Sequence, residues 1–298
     1  MLMCVRPFYK HYIMTKKIVR VTEAKLLEMI ENSVREIFLA EGIDVDANRN
    51  ITMTDKHENL IDTSIENNPT LLTDFLPNVN VWSIFKRKDD EWYDANPLIY
   101  ALKNEGGYKL TNATKFKNRL EYIVNKFLTQ NSGMDVTIAV PSTNELNKYF
   151  ASVVARGCKN PQYIDNLLVK MSLQEVDDMI TKEDSTFRKY YGRQYAQKYQ
   201  ILQNYYRTMR NGFQFHKVHD MDMRAVIEYT IKMDDDFYGK YVDAINGKNV
   251  IIVDDSIALG NSIKESCKII SENYTPKSIT VLTLFSPLYY AETGKIKK

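Results

Sequence analysis

Val250-Ile251-Ile252-Val253-Asp254-Asp255-Ser256-Ile257-Ala258-Leu259-Gly260-Asn261-Ser262 is the stretch that decides the fold. Four consecutive β-branched residues read as a strand buried on both faces. Two carboxylates follow at once, and then a short loop of small residues around Gly260. Beyond it Ile263, Cys267 and Ile270 recur at helical spacing, so a helix begins near Ser262. Strand, acidic pair, loop and helix amino end form one unit. Open α/β sheets bind ligands at the carboxyl ends of their strands. Helix amino ends bind phosphate through unbonded N–H groups and the dipole. Asp254 and Asp255 therefore stand beside a phosphate cradle, placed for hydroxyl groups or Mg²⁺.

The unit resembles the 5-phosphoribosyl-1-pyrophosphate (PRPP) motif of the type I phosphoribosyltransferases. That motif has four apolar residues, two acids, an apolar pair, small hydroxyl residues, Gly, any residue, and Ser or Thr. The resemblance implies that Asp254 and Asp255 take the ribose hydroxyls and, indirectly, Mg²⁺ that arrives with PRPP. It implies that Ser256, Ala258, Leu259, Gly260, Asn261 and Ser262 hold the 5′-phosphate. Ala258 and Leu259 stand where the family usually has Thr-Thr. Two side-chain donors are lost there, each worth ~1–3 kcal/mol to a charge-assisted phosphate contact. The backbone N–H groups and the Ser262 hydroxyl remain.

Outward from this unit, the strand at residues 135–141 ends in Pro141-Ser142-Thr143-Asn144 and leads into a helix over 145–156 with Leu146, Phe150, Val153 and Val154 on one side. A cap for that helix and a ligand loop are compatible readings of the Ser-Thr-Asn turn. Residues 94–285 are similar, more loosely, to ComF-type phosphoribosyltransferases, including an apolar helix that ends in Leu102-Lys103. There the resemblance implies that Ser142, Thr143, Asn144 and Lys170 meet pyrophosphate, Lys170 ending a strand expected over 167–173. Strands are also expected at 79–85, 213–218 and 279–285, and helices around 97–103, 120–127 and 262–273. Alternating strands and helices predict a doubly wound, mostly parallel α/β sheet of the phosphoribosyltransferase kind over residues 76–298.

Residues 1–75 lie outside the resemblance. An amphipathic helix over 22–40 carries Leu27, Ile30 and Val34 on one stripe, with Thr22 as N-cap and Gly42 as stop. It reads as a helix packed on its own domain or as a docking helix for a partner. Residues 43–75, rich in Asp, Asn, Thr and Glu, read as a polar linker. Met14 is an expected alternative start.

Residues 185–217 hold seven cations and nine aromatics and no acid. Tyr191, Tyr195, Tyr199 and Leu202 have helical spacing, so core packing with solvated cations is one reading. Nucleic-acid binding by neutralisation and stacking is another. The resemblance implies a third, a mobile hood over the site with Arg188, Lys189 and Arg193 as its cations. His216 and His219, three apart, suit a single metal ion poorly if they lie on a strand.

The chain has 298 residues, 44% hydrophobic and 26% charged, with a net charge of +2. That balance is globular and selects no partner by charge. Three scattered cysteines, Cys4, Cys158 and Cys267, form no metal or disulfide framework, so a reducing, cytoplasmic setting is expected. No run approaches the ~20 apolar residues of a membrane span. The expectation is a PRPP-dependent glycosyltransferase of nucleotide metabolism that uses Mg²⁺ and takes PRPP or a nucleoside 5′-phosphate, a homodimer being one expected assembly. The alternative is a non-catalytic module of the same fold that binds nucleotide or single-stranded nucleic acid, in regulation, DNA handling or a mobile element.

Overall fold

The structure, a computed structural model, describes residue 25 and residues 42–54, 61–87, 97–142, 144–158, 162–209, 212–214, 217–227, 230–237, 239–257 and 260–286. Two compact units divide the chain, Met1–Glu36 and Ile37–Lys298. The helix expected over 22–40 lies outside the described residues, Lys25 excepted.

The second unit is built on a seven-stranded sheet. Strands β5 (Val79–Arg87), β12 (Ser278–Phe285), β11 (Asn249–Ser256), β7 (Val136–Ala139) and β8 (Gln162–Ile164) run parallel in that spatial order. Two short strands, β3 (Ile61–Asp62) and β4 (Thr70–Leu76), pair antiparallel with the outer edge of β5. Successive residues of β11 serve opposite faces, as the pleat requires. Ile251 and Val253 join a core with helices α1 (Pro97–Lys103), α2 (Ala113–Gln130) and α3 (Glu145–Gly157). Val250 and Ile252 join another, on the face that carries α9 (Asn261–Asn273). Burial on both faces explains why β11 reads as an unbroken apolar run.

From β7 the chain turns through α3 to β8 on one side, while β11 lies on the other. The helices that follow β7 and β11 thus cover opposite faces, and a crevice opens between the carboxyl ends of these two strands. Asn147 of α3, fully buried, pins that crevice. Its amide donates to the Val140 carbonyl at 2.6 Å and to the Val253 carbonyl at 3.3 Å.

Residues 43–75 are not the linker their composition suggests. They contain β3, β4 and the hairpin of β1 (Gly42–Val45) and β2 (Asn50–Thr54), with β6 (Lys109–Leu110) parallel to β2. Asp46 closes the hairpin by accepting the N–H groups of Asn48 and Asn50, each at 2.8 Å. Asp44, Thr52, Thr73 and Asp74 lie on exposed faces, Asp62, Thr63, Ser64 and Asn68 are buried in and after β3, and Ile43, Ile51, Met53, Leu72 and Phe75 point inward.

A second difference lies at 167–173. Only β9 (Leu168–Lys170) is strand. Ser172 starts α4 (Leu173–Thr181) through a reciprocal capping box with Glu175. Strand β9 pairs antiparallel with β10 (Ile231–Met233), Lys170 facing Ile231. Between them the chain inserts α4, α5 (Thr186–Tyr191), α6 (Tyr195–Tyr206) and α7 (Met221–Val226), with a separate apolar cluster around Phe187, Leu202, Phe213 and Met223. Phe213 sits in that cluster and its N–H bonds the Met171 carbonyl at 3.0 Å, and the described residues within 213–218 form no strand. The short helix α8 (Val242–Ile245) leads into β11. No helix among the described residues is long and apolar enough to cross a membrane.

Candidate functional site

A cleft of about 830 Å³ opens over the carboxyl ends of β7 and β11. Ser142, Asn144, Lys170, Asp254, Asp255, Ser256, Gly260, Asn261 and Ser262 all line it. The sequence expected each of them there. Thr143, Ala258 and Leu259 lie outside the described residues, as does His216.

The strand pleat separates the two acids. Asp255 continues the face of Ile251 and Val253, toward α1 and α3, and Asp254 continues the face of α9. Asp255 is buried and fully engaged. Its Oδ1 accepts the Ser256 hydroxyl at 2.8 Å and Lys103 Nζ at 3.2 Å. Its Oδ2 accepts Asn144 Nδ2 at 3.2 Å and Lys103 Nζ at 3.1 Å. Asn144 also caps α3, its Oδ1 accepting the Leu146 N–H at 3.0 Å, so one side chain serves helix and site together.

Asp254 is more open. Its Oδ1 accepts the Asp255 N–H at 2.9 Å, and Oδ2 has no protein hydrogen bond among the described residues. Burial, then the neighbouring Asp255, push the Asp254 carboxyl up; the Asp255 N–H, Lys103 and Lys170 pull the other way. Burial pushes the Lys170 ammonium down, opposed by the charges of Asp254 and Asp255. The floor of the cleft is thus a compact set of two carboxylates and two amines, held out of bulk water.

Gly260 turns the chain from β11 into α9 with φ +76°, the left-handed region that suits glycine. A Cβ there would strike the Phe75 ring of β4, 2.9 Å from Cε1. As the N-cap, Gly260 brings no side-chain cap to α9. Its first N–H groups have no intrahelical partner by geometry and adjoin the cleft, an arrangement that receives anions.

Several cleft residues escaped the sequence. Arg87 ends β5 fully buried. It donates to the Ser286 carbonyl and, at 2.8 Å, to the Ile257 carbonyl, tying the loop after β11 to the strand ends beside it. It stands in the basic run Lys86-Arg87-Lys88 that closes an apolar strand, which does not single it out. Lys103 was visible only as the end of an apolar helix. Gln214, Lys217, His219 and Arg224 come from the inserted segment and form the opposite wall. That segment is tied to α9. Glu265 accepts the N–H groups of Thr230 at 2.8 Å and Ile231 at 3.0 Å, and Asn261 donates to the Arg224 carbonyl at 2.9 Å.

The expected hood cations are elsewhere. Arg188 stacks over the Tyr195 ring at 4.3 Å, Lys189 and Arg193 are exposed, and none of the three lines the cleft. Tyr199 donates to Asp177 at 2.9 Å and Lys198 pairs with Asp220 at 3.1 Å. Much of this basic, aromatic stretch is therefore spent on packing its own helices. No group of three or more His, Cys, Asp or Glu side chains suited to a metal ion occurs among the described residues.

Neither a protein-family profile nor a curated protein sequence matches this chain. Among solved structures it is similar to the allosteric regulatory enzyme of purine biosynthesis, at 16% identity over 55% of this chain and 25% of that one, with a TM-score of 0.26. It is also similar to adenine phosphoribosyltransferase from Leishmania donovani, at 10% identity over 86% of this chain and 92% of that one, TM-score 0.33. The same enzyme from Leishmania tarentolae gives 10% identity, 86% and 100% coverage, and a TM-score of 0.32. The chain spans a quarter of the length of the first of these proteins. At such scores the likeness carries no argument, and the fold rests on the strand order described above.

Proposed function

We propose that this protein binds PRPP with Mg²⁺ and transfers its ribose 5-phosphate to a nitrogenous base or amine. One observation carries the reading. Asp254 and Asp255, at the end of β11, line one cleft with the amino end of α9, whose N-cap is Gly260, at the crevice where the helices change faces. A sugar diol suits the carboxylates, and a 5′-phosphate suits the N–H groups of α9 together with Ser262. Ser142, Asn144 and Lys170 supply donors for a pyrophosphate group on the β7 side.

Mg²⁺ fits this donor set as a companion of the ligand. It is commonly held by one or two carboxylates plus substrate phosphates, and Asp254 is the carboxylate with an oxygen to spare. Bound there, the ion would neutralise the pyrophosphate as it leaves. The residues of the chain do the rest: they fix the ribose, hold the 5′-phosphate and exclude water under the inserted segment.

Calorimetry with PRPP and Mg²⁺ tests the reading. Binding is expected, and is expected to vanish when Asp254→Ala and Asp255→Ala are combined. Absence of heat with the wild-type protein, or unchanged heat with the double variant, would sink it.

Binding without transfer is a second reading, favoured by the Lys103 ion pair that occupies Asp255. Release of pyrophosphate on adding candidate bases separates the two. The nucleic-acid alternative has less support, because Tyr191, Tyr195, Tyr199 and Arg188 are engaged in packing.

A further inference from the structure

Lys103 is the last residue of α1, and its ammonium lies within 3.2 Å of both oxygens of Asp255. An ionised carboxylate offers about four acceptor sites. On Asp255 all are used: two by Lys103, one by Ser256 and one by Asn144. The Asp255 side chain is 8% exposed and that of Lys103 is 18% exposed. A hydroxyl ligand therefore reaches Asp255 only by displacing a protein donor. Ser256 is the next residue in the chain and Asn144 is held by its role as the cap of α3. Lys103 is the donor with a long, rotatable stem.

An uncharged diol that evicts Lys103 leaves a part-buried ammonium without its partner, which is costly. A ligand that brings its own anionic group at the same place removes that cost. Lys103 and Asn144 both meet Asp255 on the sheet face that carries α1 and α3, whereas α9 covers the other face. We propose that Lys103 is a transferable counter-ion: it neutralises Asp255 in the free protein and turns to the ligand's diphosphate when the sugar diol takes its place. Lys103 thereby selects sugars that carry a diphosphate at C1 over sugars phosphorylated at C5 alone. This rests on the PRPP reading and adds a specificity-determining residue to it.

The test compares affinities of the full-length protein for PRPP–Mg²⁺ and for ribose 5-phosphate, measured by calorimetry or competition. Wild type, Lys103→Gln and Lys103→Arg are compared. In Lys103→Gln the preference for PRPP is expected to narrow on the order of tenfold, the loss of one charge-assisted contact. Ribose 5-phosphate is expected to bind more tightly than to wild type, because nothing charged is evicted. Lys103→Arg is expected to retain the preference. A preference unchanged in Lys103→Gln, or both affinities falling in parallel as for a merely structural residue, overturns the proposal while leaving the PRPP reading intact. If PRPP binds neither wild type nor variant, the PRPP reading falls and this inference falls with it.

Discussion

At the scale of single residues, the acidic pair divides its labour. Alternation along β11 sends Asp255 to a face where protein donors meet it and leaves Asp254 facing the cleft. Asp254 accordingly has its carboxyl pushed above the ordinary 3.8 by burial and by its neighbour. The sign of the consequence is fixed by linkage. The folded protein keeps a proton that the unfolded chain releases, so this group's contribution is complete below 3.8 and is lost as pH rises through the folded value. Asp254→Asn cannot ionise. Denaturant unfolding is expected to find that variant more stable than wild type at about pH 8, with the gap closing toward about pH 4. Equal stability at both pH values would contradict the account. The same variant is expected to bind PRPP poorly, so the residue that weakens the free protein is the one the ligand needs.

At the scale of elements, the contact between β4 and the turn into α9 is the least forgiving. Gly260→Ala adds a Cβ against the Phe75 ring at a positive φ. A loss of about 1–3 kcal/mol in unfolding free energy is expected. Combining it with Phe75→Leu should recover the steric share and leave the backbone share; full recovery, or none, would show that one of the two causes is absent. This contact also marks how far the sequence could be read. Strands β7, β11 and β12 and helices α1, α3 and α9 were legible, because burial on two faces or one writes itself as an apolar run or a helical stripe. The acids and the Ser-Asn turn followed from those elements. Strands β1 to β4 were not legible. They are short, β1, β2 and β4 have residues exposed to water, and Asp or Asn stands within each strand, so composition resembled a linker. The capping box at Ser172 and Glu175 was present in the sequence, and the apolar run before it hid the helix start. Lys103 and Arg87 act across more than a hundred residues of chain, and no local pattern announces such partners.

At the scale of the whole second unit, the segment between β9 and β10 behaves as an insertion. Its apolar cluster is separate from the two cores that flank the sheet. Its ends meet at one ribbon, where the Met171 N–H bonds the Thr230 carbonyl at 2.8 Å. Joining Met171 to Thr230 through Asn-Gly, a pair suited to a tight hairpin, is expected to leave a sheet that melts cooperatively by circular dichroism. One wall of the cleft would be gone, and PRPP binding with it. A variant with no cooperative melt would show that the segment is integral to the core. Glu265 alone links three polar groups of Thr230 and Ile231 to α9 and survives this excision.

The Asn147 amide has a wider consequence. By grasping the Val140 carbonyl, just past β7, and the Val253 carbonyl within β11, it acts as a strut between the halves of the binding floor. Ligands of different shape cannot be met by spreading that floor. Whatever adaptability the protein has must lie in the walls, in the end of α1 and in the inserted helices. Mutational libraries aimed at a new acceptor belong there, and the strut is the part to leave alone.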